Sequence, residues 1–163
     1  MTPRKETAEL ARRVEAILRI YMEIQEDLFR PSLRKMIPIP GIYRPADYGA
    51  DAGLLEGILL DLSAVKGDIR RMEPIDGRAE GKFLGHLRGY VSLLGSAAEK
   101  LLSICRRLEA RSSGGQYGRE EYKRDIVELR EIQRKHLEAG ATLNELVKGL
   151  GESSGEEGAG PGR

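Results

Sequence analysis

A chain of 163 residues with a net charge of +1 has the size of one domain with a real core. The near-neutral balance gives no global electrostatic case for nucleic acid or an anionic membrane, and 33% charged residues beside 40% hydrophobic ones exclude wholesale disorder. With no Trp and two Phe, the core has to be built from Leu, Ile, Val and Ala.

Helix 1 is predicted from about Pro3 to Met36. Thr2 can cap it, and proline suits a first helical position. Its seam, Leu10, Val14, Ile17, Tyr21, Ile24 and Leu28, advances in steps of four and three residues. A second row, Ala11, Leu18, Met22 and Phe29, widens the stripe beyond a coiled-coil seam, so the helix should bury itself against more than one neighbour. Pro31 should kink or loosen its last turns. No apolar h-region precedes the charged first turns, and no stretch reaches the ~18 apolar residues of a membrane span. The expected location is cytoplasmic.

Residues 37–50 form the first connection. Three prolines forbid a regular helix there, yet three isoleucines and two tyrosines make the segment too apolar for a free linker. Helix 2 is predicted from Asp51 to Met72 on Leu55, Ile58, Leu62, Val65, Ile69 and Met72. At 1.5 Å per residue it spans roughly 33 Å against roughly 50 Å for the other three helices. The connection, which can extend up to ~45 Å, is therefore expected to pack along the bundle. Ile39, Ile42, Tyr43 and Tyr48 are its candidate packing or partner residues.

A tight turn at 73–77, with Asp76 as cap, leads into helix 3, which runs to about Arg111. Its rows are Phe83, Leu87, Tyr90, Leu94, Ala97, Leu101, Ile104, Leu108 and, beside them, Leu84, Val91, Ala98, Cys105. The single cysteine falls in that stripe and reads as a small buried hydrophobe, an inert thiol rather than a nucleophile. Gly81, Gly85 and Gly89 share one face of helix 3. Each costs a helix ~1 kcal/mol relative to Ala, which calls for close approach of another helix, within the bundle or across a dimer; room for a ligand or a hinge is the alternative.

Residues 112–118 read as a flexible break. Helix 4 follows from Arg119 to Leu150, starting on Tyr122, Ile126, Leu129 and ending on Leu143, Val147, Leu150. Between them the rhythm falls on Gln133, His136 and Gly140. The expected outcome is a stripe rotated onto Ile132 and Leu137, with His136 at the boundary; a buried polar layer is the alternative. Residues 151–163 carry no apolar anchor and are expected to be a disordered tail. Short turns make successive helices antiparallel. The whole predicts an all-α antiparallel four-helix bundle, up-down-up-down, over residues 1–150.

Di-iron bundles need Glu-x-x-His pairs facing inward. The residues three before His86 and His136 are Phe83 and Gln133, so no metal, cofactor or catalytic set is predicted. Basic residues cluster at Arg106, Arg107, Arg111, Lys123 and Arg124. Residues 77–113 carry 7 basic and 3 acidic side chains, a net of +4, while 38–76 carry 4 and 7, a net of −3. That asymmetry can form a phosphate-binding strip, although cations near helix C-termini also complement the dipole. Scarce Asn, Gln and Cys with abundant charge suit a thermophile, though a GC-rich genome would also favour the Arg and Gly. Arg130 and His136, with five residues between them, loosely resemble the Arg-x4–6-His signature of HEPN-type ribonucleases, small helical bundles that dimerise; Glu131 follows the Arg here. The resemblance covers two residues and implies an RNA-cutting role for His136. Three readings follow in order: a non-catalytic interaction or assembly module binding itself or another subunit, a nucleic-acid-associated helical protein, and a HEPN-like ribonuclease.

Overall fold

The computed structural model describes the backbone of residues 3–29, 47–72 and 79–156 and the side chains of 5–29, 47–72 and 79–149. Four helices account for it: α1 Pro3–Phe29, α2 Tyr48–Met72, α3 Ala79–Ser112 and α4 Arg119–Glu156. No strand occurs among the described residues. None of the described helices is long and apolar enough to cross a membrane.

α3 is the central element. It packs against α1, α2 and α4, and α1 also packs on α2. Both predicted rows of α3 are buried, with Leu84, Val91, Leu94, Ala97, Ala98, Leu101, Ile104 and Cys105 wholly enclosed. The seam of α1 is buried from Leu10 to Ile24, and that of α2 from Leu55 to Ile69; Leu28 and Met72 are half-buried at the ends. Each such aliphatic removes enough apolar surface from water to contribute roughly 1.5–3 kcal/mol. Arg13 pairs with Asp68 at 2.6 Å, Arg106 with Glu56, and Lys100 with Asp125 at 2.9 Å. Thr7 donates to Glu80 at 2.7 Å.

Two boundaries differ from expectation. α2 begins at Tyr48, three residues early, because Asp47 caps it: its carboxylate accepts from the Ala50 amide at 3.0 Å and its carbonyl from the Asp51 amide at 2.9 Å. Tyr48 thereby leaves the connection and lies half-buried against the core. α4 continues to Glu156 rather than ending near Leu150, and 157–163 lie outside the described residues. So do Ile39, Ile42 and Tyr43, and the predicted last turn of helix 1.

The segment 112–118 is an ordered turn, not a flexible break. Gly114 adopts φ 95°, its amide bonds to Arg111 O at 3.2 Å, and the Gly115 amide bonds to Ala110 O at 2.7 Å. This is a Schellman cap, which uses a left-handed glycine to satisfy the last carbonyls of a helix. Tyr117 is then buried, and its hydroxyl donates to Asp125 at 2.5 Å. A Cβ at Gly115 would meet Ala110 O at 2.7 Å. Gly115→Ala should therefore destabilise the protein by about 1–3 kcal/mol, read as a lower urea midpoint with an unchanged helical spectrum in water. An unchanged midpoint would show that the cap is dispensable.

Candidate functional site

The glycines of helix 3 are where sequence and structure meet most directly. Gly81 is half-buried, and Gly85 and Gly89 are exposed. A Cβ built at Gly85 or Gly89 meets no atom within 4 Å. Among the described residues, no other helix of the same chain comes close at these two positions. The face continues along α3 through Ser92 and Ser96, in the same four-and-three rhythm.

α2 carries a matching ridge that the sequence reading missed. Gly53, Gly57, Leu60, Ala64 and Gly67 advance by 4, 3, 4 and 3 residues on the side opposite the buried seam. Cβ atoms at Gly53, Gly57 and Gly67 would also meet nothing within 4 Å, and Leu60 is 73% exposed. The signal was available as Gly53 and Gly57, four residues apart.

The polar interruption of α4 is a buried layer, and the expected rotation of its stripe does not occur. His136 is 6% exposed, whereas Leu137 is 72% exposed and Val147 also faces solvent. The His136 ring stacks on Tyr90 with centroids 4.3 Å apart. Gly140 leaves room for that ring, since a Cβ there would approach Tyr90 Cε2 to 3.3 Å. Gln133 donates to the Tyr21 hydroxyl and to Gln25 Oε1, both at 2.9 Å, and so links α4 to α1. His136 Nε2 is buried without a partner among the described residues. Burial holds the imidazole below its ordinary pKa and raises that of Tyr90 to about 12. Arg130 is exposed, so it and His136 do not share an open face.

The basic candidates are largely neutralised. Arg106 pairs with Glu56, and Lys123 lies 3.9 Å from Glu120. Arg107 reaches Asp125 at 3.3 Å and Glu121 at 3.9 Å and lies over the Tyr117 ring at 5.6 Å. Arg111 and Arg124 are exposed at one end of this group. Asp125 is the hub. Burial opposes its charge, but hydrogen bonds from Tyr117 and Lys100 hold its carboxyl below the usual range. Cys105 is buried and free, its thiol pushed up to about 11 by burial, and Sγ donates to Tyr48 O at 3.1 Å. Among the described residues, no group of three His, Cys, Asp or Glu side chains is placed to hold a metal.

Compared with family models, with curated proteins and with solved structures, the chain matches none.

The His136 environment has a pH consequence. Its folded pKa lies below the unfolded value of ~6.5, so the unfolded chain takes up the proton first. Its contribution to stability is thus lost as pH falls below about 6.5. The loss between pH 7 and pH 5 should be smaller in His136→Gln than in the parent protein, by urea titration at each pH. Parallel pH profiles would mean that the fold leaves the His136 pKa where it is in the unfolded chain.

Proposed function

We propose that this chain is a non-catalytic helical assembly module whose contact surface is the outward glycine-rich side of α2 and α3. The observation that carries the reading is the set Gly53, Gly57, Gly67, Gly85 and Gly89 inside regular helices, where a side chain would meet nothing. Each glycine costs ~1 kcal/mol against alanine, and packing among the described residues gives no compensation at these positions. A partner helix whose backbone approaches closely does supply one, because the absence of Cβ atoms lets two backbones come together over a long contact. The partner is a second copy of this chain or a subunit of a larger complex.

The same reading takes the helices as an up-down-up-down bundle. Pairings in reversed order support it: Tyr48 meets Cys105 and Leu62 lies nearest Gly95 across α2 and α3. Lys100 meets Asp125 and Tyr90 meets His136 across α3 and α4. A nucleic-acid role ranks behind, since carboxylates already occupy Arg106, Arg107 and Lys123.

Gly85→Leu separates assembly from folding. In dilute solution it should leave the melting temperature unchanged or raise it, because the added side chain meets open space and leucine is the better helix former. On concentration, sedimentation of the parent protein should report a larger species that the variant does not form. A parent protein that stays monomeric at every concentration and co-purifies with no other chain would overturn the reading.

A further inference from the structure

α4 is attached to the bundle in two different ways. Among the described residues its backbone packs on α3 alone, and the backbones of α1 and α2 keep away from it. Its first half is tied down by charge. Asp125 accepts from Tyr117 at 2.5 Å, from Lys100 at 2.9 Å and from Arg107 at 3.3 Å, and Lys100 also pairs with Glu128. Its second half is tied down by groups that are neutral. Gln133 donates to Tyr21 and Gln25 of α1, both at 2.9 Å, and the His136 ring lies on Tyr90 of α3 with centroids 4.3 Å apart. Beyond them, up to Gly149, Leu143 is the one buried side chain.

His136 is 6% exposed, and its Nε2 is buried without a partner among the described residues. A neutral imidazole tolerates that place. An imidazolium has an N–H on both nitrogens, so one donor would be dehydrated and unpaired. Attraction of the cation to the Tyr90 ring offsets this only in part. The titratable groups around it supply no countercharge. α3 brings Tyr90 and, one turn before it, the exposed His86; α1 brings Tyr21, through Gln133. On α4, Arg134 and Lys135 are exposed, and Arg134 pairs with Glu131 and Glu138. We propose that His136 is an acid-operated release for the second half of α4: on taking up a proton it frees the helix from Gln133 onward and uncovers Tyr90, while the Asp125 anchor holds the first half in place. The two anchors titrate apart. Burial alone holds the imidazole below its ordinary pKa. Burial opposes the charge of Asp125, but hydrogen bonds from Tyr117 and Lys100 keep its carboxyl below the usual range, so it stays ionised where His136 titrates. Once released, His136 regains a pKa of ~6.5. The open form then binds the extra proton, and it is favoured as pH falls below that value.

Hydrogen exchange of the backbone amides at pH 7 and pH 5, expressed as protection factors, tests the release segment by segment. In the parent protein, protection over residues 133–149 should fall severalfold on acidification, with a ceiling of about 25-fold for a single proton. Protection in α1, α2, α3 and residues 119–129 should hold. An equal fall in every helix, or no fall over 133–149, would overturn the proposal. His136→Phe keeps a ring against Tyr90 but takes up no proton, so its protection over 133–149 should not change between the two pH values. A fall matching that of the parent counts against the proposal. Proton resonances of the imidazoles in the parent protein give a reading that does not depend on the variant folding. A His136 pKa below 6.5 supports the release, and a value of 6.5 or above leaves no proton uptake to drive it and sinks the idea.

Discussion

α3 gives up its apolar surface on three sides at once, to α1, α2 and α4, and the remaining strip is the one that carries Gly85 and Gly89. That enclosure fixes the other helices, because each must present its seam to the same cylinder. The buried carboxylate of Asp125 then sets the register of α4, taking a proton donor from the turn at Tyr117 and cations from Lys100 and Arg107 of α3. Breaking one partner of such a buried pair leaves a charge uncompensated, which costs far more than the pair itself contributes.

Helix identity and the seams of α1, α2 and α3 were legible because burial follows the four-and-three spacing of apolar residues. Where the spacing lands on polar residues the reading failed. Gln133, His136 and Gly140 keep the rhythm, but apolarity drew the expected stripe towards Leu137, which faces solvent. The decisive factor was across the interface: Tyr90, Tyr21 and Gln25 supply partners and aromatic surface that no local pattern on α4 reveals. The start of α2 was misplaced for the opposite reason. Gly49 and nearby prolines looked like loop, while one Asp47 side chain sufficed to begin the helix. The glycine face of α3 was visible in sequence, but only coordinates show that it points away from the other described helices.

Among the described residues, the two titratable groups with a buried, unpartnered atom lie at different interfaces. His136 sits between α3 and α4, and Asp51 between α1 and α2. Both environments favour the neutral form, yet they act in opposite senses on stability, since one group is neutral when deprotonated and the other when protonated.

The Schellman turn at Gly114 also bears on how firmly α4 is held to its own chain. Helical hairpins with short links exchange a helix between protomers when the link straightens and the two helices fuse. Straightening here would remove the left-handed Gly114, give up the Gly115–Ala110 bond, and withdraw Tyr117 from Asp125. The turn therefore acts as a guard against helix exchange of α4.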